Sequence, residues 1–93
     1  AISPDELMVY VNIATSYYNI GVGIDENTRT ITNSRLVQEE KIRSQEAFNS
    51  AISWLDKAYD KGIDDVTVLT KVYDLYRLLR VTDKVRSIEN RLR

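Results

Sequence analysis

The sequence predicts an all-α fold of about four helices in antiparallel hairpins, the first two of them long. Three observations carry this expectation. Apolar residues recur at spacings of three and four along most of the chain, the period of a helix face rather than of a strand. Residue types that start and stop helices stand at the ends of those runs. The sequence also matches itself at a separation of 34 residues, the length of a helix–turn–helix unit.

The first helix starts at Ser3-Pro4-Asp5-Glu6: Ser3 can cap, Pro4 suits the first helical position, and Glu6 completes a capping box. Its inward stripe is Leu7, Tyr10, Val11, Ala14, Tyr17, Tyr18, Gly21 and Ile24, and the cap-type cluster Thr32-Asn33-Ser34 sets its turn near residues 30–34. A second helix is expected from Ser34 to Lys61, stopped by Gly62, with Phe48, Ala51, Ile52, Leu55, Ala58 and Tyr59 inward. Its first half, Arg35 to Glu46, is mostly polar and packs against little. Asp64 or Asp65 caps a third helix, Val66 to about Arg80, carrying Leu69, Val72, Tyr73, Tyr76 and Leu79 on one side. Thr82 or Asp83 opens a short fourth, with Val85, Ile88 and Leu92 inward. The β-branched run Val66-Thr67-Val68 is too short for a strand and sits in a helical period.

In the self-match, Ala51 maps to Val85, Trp54 to Ile88 and Ala58 to Leu92. The pattern Tyr17-x-x-Ile20-Gly21-x-x-Ile24, repeated as Leu69-x-x-Val72-Tyr73-x-x-Tyr76, resembles the first helix of the tetratricopeptide repeat. Ala51-x-x-x-Leu55-x-x-Ala58 resembles its second helix. There are three departures: Tyr73 stands at the small-residue position, Glu89 at a large apolar one, and Ile63 at the usual proline. Tyr17 and Leu69 lie 52 residues apart, one 34-residue period plus 18. Eighteen residues make about five turns at 3.6 residues per turn, so two lengthened antiparallel helices return their stripe to the same face. The domain is thus read as a single unit over 1–93, an elongated hairpin over 4–61 followed by an ordinary one over 65–92.

With Trp54-Leu55-Asp56-Lys57-Ala58-Tyr59 at its centre, this arrangement is similar to small bacterial tetratricopeptide-like proteins. The resemblance implies a right-handed helical stack acting as a protein- or peptide-binding scaffold, with no cofactor and no catalytic activity. It also implies a concave surface lined by the first helix of each repeat. The groove positions are then Thr15, Tyr18, Val22 and Asp25 in one repeat, and Thr67, Thr70, Lys71, Asp74 and Arg77 in the next. Two hairpins are fewer than the three or more repeats such stacks usually need, so self-association, or burial against a larger assembly, is the second expectation.

Composition narrows the alternatives. Thirteen basic and fourteen acidic residues give a net charge of -1, which offers no field for nucleic acid. No apolar run reaches the roughly 18 residues of a bilayer span, so a soluble chain is expected, cytoplasmic or exported after removal of a leader. The chain has no His and no Cys, which removes the usual transition-metal ligands, the neutral-pH general base and the thiol nucleophile. The acidic pairs Asp5-Glu6, Asp25-Glu26, Glu39-Glu40 and Asp64-Asp65 read as helix-start charges or solvated faces, because adjacent helical residues diverge. Asp56 and Asp60, interleaved with Lys57 and Lys61, are expected to form a surface laced with salt bridges.

Overall fold

The computed structural model describes residues 3–92 and holds four helices: α1 (Pro4–Thr28), α2 (Ser34–Asp60), α3 (Val66–Leu78) and α4 (Thr82–Leu92). No strand occurs among the described residues, and the fold is all-α. α1 packs along α2 and α3 along α4, while α3 also rests on both long helices, giving a slab of 49 × 24 × 16 Å.

Local chemistry accounts for most of the helix ends. The Ser3 hydroxyl accepts from the Glu6 N–H at 3.3 Å, the Asn33 side chain from the N–H groups of Arg35 and Leu36, and the Asp65 carboxylate from the Val68 N–H at 3.0 Å. α1 stops at Thr28, just short of the expected turn. The N–H groups of Arg29, Thr30 and Ile31 each bond three residues back, tightening the chain out of the helix. Gly62, at φ 82, supplies the left-handed residue that ends α2. α3 ends two residues earlier than expected, because Arg80 takes the same left-handed conformation at φ 61. Around it the Val81 N–H bonds the Tyr76 carbonyl and the Arg80 N–H bonds that of Arg77, the two bonds of a Schellman cap.

One core joins both hairpins: Leu7, Val11 and Ala14 of α1, Leu55 and Ala58 of α2, Ile63, five residues of α3, and Ile88 of α4. Tyr76 is its largest fully buried side chain. Its phenol donates to the Asp56 carboxylate at 2.6 Å and its ring meets Tyr59 edge-on at 6.2 Å, so α3 is tied to α2 by apolar packing and a charge-assisted bond together. Further polar ties hold α4 to α2, to α3 and to the chain before α3. The Tyr59 and Ser87 hydroxyls lie 2.7 Å apart, Tyr73 donates to Glu89 at 3.0 Å, and Arg91 donates to the Ile63 carbonyl at 2.6 Å. The residues that depart from the repeat pattern are therefore partners: Tyr73 and Glu89 bond each other across α3 and α4, and the buried Ile63 receives α4 through its carbonyl.

Beyond that core the long hairpin continues on small residues. Ala47, Ala51 and Ser44 of α2 are buried against α1, and Gly21 admits the Phe48 ring so closely that an added Cβ would lie 2.6 Å from it. The polar stretch of α2 leaves Leu36 and Ile42 exposed, as expected of an overhang.

Several expectations need correction. Tyr17, placed inward by its spacing, lies at the edge of its helix face and is 36% exposed. Leu92, in the last turn of α4, is 45% exposed because no element covers it there. Val68 and Leu75 join the core although the assumed stripe omitted them. Lys57 and Lys61 do not lace the surface with Asp56 and Asp60. Lys57 stands 4.2 Å over the Trp54 ring and Lys61 5.6 Å over Tyr10, while Asp56 is engaged by Tyr76.

Burial first, and then the Asp56 carboxylate, hold the Tyr76 phenol far above its ordinary pKa of 10.0. A group held neutral by the fold contributes stability in full below its unfolded pKa and loses it as pH rises beyond. Alkaline conditions above about pH 10 should therefore destabilise the protein. Tyr76→Phe should cost about 1–2 kcal/mol at neutral pH and flatten that alkaline loss, both measurable by urea unfolding across the range. Gly21→Ala should destabilise by about 1 kcal/mol despite its better helix propensity, yet stabilise by a similar amount in a Phe48→Ala background. Gly23→Ala, where nothing lies within 4 Å of an added Cβ, should stabilise in either background by thermal melt.

Candidate functional site

α1 and α3 lie side by side, and their neighbouring faces diverge outward into a trough. One end is a hollow of about 300 Å³ formed by Met8, Val11, Asn12 and Thr15 of α1 with Lys71, Asp74 and Leu75 of α3. Asp74 also borders the next hollow, of about 390 Å³, with Arg77 and Leu78. Leu78 in turn borders the largest, about 670 Å³, which lies where the long hairpin projects past the end of α3. Asp74 is common to the first two hollows and Leu78 to the last two, so the three adjoin one another in a row.

Helical spacing explains which side chains arrive there. Thr15, Tyr18, Val22 and Asp25 follow one another at three and four residues on α1, and Lys71, Asp74 and Leu78 do so on α3. Seven of the nine residues named from the sequence thus border the trough: Thr15, Tyr18, Val22, Asp25, Lys71, Asp74 and Arg77. Thr67 and Thr70 border none of the three hollows. They occupy the exposed first turns of α3, where the Thr70 hydroxyl is spent on the Val66 carbonyl of its own helix. The Thr15 hydroxyl is likewise bound to the Val11 carbonyl of its own helix at 2.8 Å.

The largest hollow holds residues that spacing did not reveal. Tyr18 packs against Phe48 with ring centroids 5.8 Å apart, and Val22, Ile52 and Leu79 extend this apolar floor. Asp25, Glu26, Arg29 and Arg80 stand around it. The two ion pairs among the described residues, Arg35–Glu39 and Arg43–Glu40, lie elsewhere on α2. Lys71, Asp74, Asp25, Glu26, Arg29 and Arg80 therefore present unpaired charges of both signs along the trough. Arg77, in the middle hollow, stands 5.6 Å over the Tyr73 ring.

No protein-family model, curated protein or solved structure matches this chain. What the trough can do is then a matter of its own chemistry. It holds no His or Cys, and among the described residues no cluster of carboxylates is gathered for a metal. The two phenols shifted from their ordinary pKa lie outside it. Desolvation and then Glu89 raise Tyr73, and Tyr76 is buried in the core. Apolar floor and charged rim suit a chain segment that buries side chains and is registered by its charges.

Arg80 gives the trough one further distinguishing feature. A left-handed conformation costs a side-chain-bearing residue about 1 kcal/mol relative to glycine, and the equivalent position after α2 is Gly62. At the end of α3 the chain carries that strain in a residue that lines the largest hollow. Arg80→Gly should raise stability by roughly 0.5–1 kcal/mol, whereas Arg80→Ala, which keeps the strain, should not. Paired chemical denaturation of the three proteins measures the difference.

Proposed function

We propose that this protein is a non-catalytic scaffold of the tetratricopeptide-like class that holds a protein or peptide segment in the trough between α1 and α3. The observation that carries the reading is the row of charges in no ion pair, Lys71, Asp74, Arg80 and Arg29, with Arg77 held over Tyr73 among them, beside apolar residues that include Tyr18 and Phe48. Charges left unmatched within a molecule are available to match those of a partner, and Arg and Tyr are the residue types that most often anchor interfaces. The apolar floor supplies burial, and the order of charges supplies register. A segment lying along the path would cross two helices of different hairpins, so the angle between the hairpins selects it as much as any single contact.

The tetratricopeptide-like assignment is supported by the repeat pattern and by the way its departures compensate: Tyr73 replaces the small residue and turns its phenol to Glu89, the other irregular position.

Selection from a random peptide library against the immobilised protein should enrich sequences that share a charge pattern around an apolar residue. The double variant Lys71→Glu/Arg77→Glu should keep its helical circular dichroism and lose binding of the enriched peptides by about tenfold or more. Failure to enrich any peptide, or equal binding by the variant, would overturn the trough as the binding surface.

A further inference from the structure

The trough is walled by helices, which restricts what can lie in it. α1 borders it from Met8 to Glu26, about 27 Å at 1.5 Å per residue, and α3 from Lys71 to Leu78. Residue numbers rise in the same direction along both walls, so α1 and α3 run parallel and both end at the largest hollow.

Main-chain groups in these walls are bonded within their own helices, so the trough has no free edge for a strand to pair with. Neutral side chains add few partners: the Thr15 hydroxyl donates to the Val11 carbonyl and the Gln45 amide nitrogen to Asn49, which leaves Asn12 and the Tyr18 phenol. An extended segment of about eight residues, the length of the trough, would set N–H and C=O groups against apolar side chains such as Val22 and Leu78. A helix satisfies its own backbone. Spacing points the same way. Thr15, Tyr18, Val22 and Asp25 line the α1 wall at about one residue per 5.4 Å turn, the pitch at which one face of a partner helix repeats. A strand shows a side chain to one face about every 6.8 Å, and falls a whole side chain out of step along the trough.

We infer that the occupant of the trough is an amphipathic α-helix of a partner chain, lying antiparallel to α1 and α3. The inference rests on the trough being the binding surface. Charge sets the direction: α1 and α3 both bring their C-terminal ends to the largest hollow, and Asp25 and Glu26 stand there, so the positive N-terminal end of a helix is favoured at that end. Arg29 and Arg80 border the same hollow and match acids in the partner's first turn, where a helix best carries them. Asp74 lies about two turns back along α3 and matches a base, and Lys71, about one turn further, matches an acid. The partner is therefore a helix whose apolar stripe meets Tyr18, Val22 and Leu78, flanked in order by acid, base and acid.

Peptides of about eighteen residues, the helical length of the trough, selected from a random library against the wild type supply the probes. Enriched sequences should carry apolar residues at spacings of three and four and gain helical circular dichroism on binding. Proline at the midpoint of a peptide's polar face should weaken binding by at least about tenfold, and alanine there should not. Asp74→Lys should weaken binding by about tenfold, and exchanging the peptide's base for Glu should restore it. Peptides that alternate with a period of two, or that tolerate the proline, would overturn the helix; if Lys71→Glu/Arg77→Glu still abolishes their binding, the trough reading stands without it. No restoration with the exchanged peptide would overturn the order of charges. Binding indifferent to Lys71→Glu/Arg77→Glu would overturn the trough and this inference with it. A wild type that captures no peptide, yet dimerises in sedimentation equilibrium unless Lys71→Glu/Arg77→Glu is present, would assign the trough to a second copy instead.

Discussion

Tyr76 is the contact on which the arrangement of the two hairpins depends. The α3–α4 pair is too short to bury a core of its own, since a helix pair of this size leaves most of its apolar surface in water. It is completed by burying the Tyr76 ring in the core that holds Leu55, Ala58 and Leu7, with its edge-on neighbour Tyr59 and its phenol bonded to Asp56 on α2. Burying an aromatic ring contributes about 1.5–3 kcal/mol, and the charge-assisted bond satisfies the one polar atom that would otherwise oppose burial. With Tyr76 seated, α3 lies against both long helices, and the trough exists because α3 lies there.

The long hairpin works by a different rule. Past the shared core its two helices approach on Ala47, Ala51, Ser44 and Gly21, and Phe48 fills the space that Gly21 opens. Small residues bring the backbones close, so the hairpin extends beyond α3 without needing a wide apolar face. That projection makes the largest hollow, because the floor at Phe48 and Ile52 continues where α3 has stopped at Arg80. The cap that ends α3 and the packing that prolongs α1 and α2 thus shape the same feature from its two sides. α1 borders the trough along one flank from Met8 to Glu26.

Much of the fold was legible from local signals. Ser3, Asn33, Asp65 and Gly62 act at the helix ends through chemistry confined to a few neighbouring residues, and spacing identified Leu7, Val11, Ala14, Leu55, Ala58, Val72, Tyr76 and Ile88 as inward. Spacing erred at the margins. Tyr17 and Leu92 satisfy the period, yet they sit at the edge of a face or beyond the reach of any covering element. Most of the trough residues on α1 and α3 could be named because helical periodicity decides which side chains share a face. Arg29, Gln45, Phe48 and Arg80 could not, since their convergence depends on how far one hairpin overhangs the other.

The sequence by itself determined the class of fold, the number and approximate limits of the helices, and their main inward faces. These follow from backbone hydrogen bonding and from the 3.6-residue period, which act over a turn or two of chain. Tertiary structure alone decided that Tyr73 bonds Glu89, that Asp56 serves Tyr76 rather than a lysine, and that Arg80 adopts a glycine-like conformation at the mouth of the largest hollow. Each of these joins residues or constraints from separate elements, and which partners meet is set by how the helices pack, a competition that no single segment encodes.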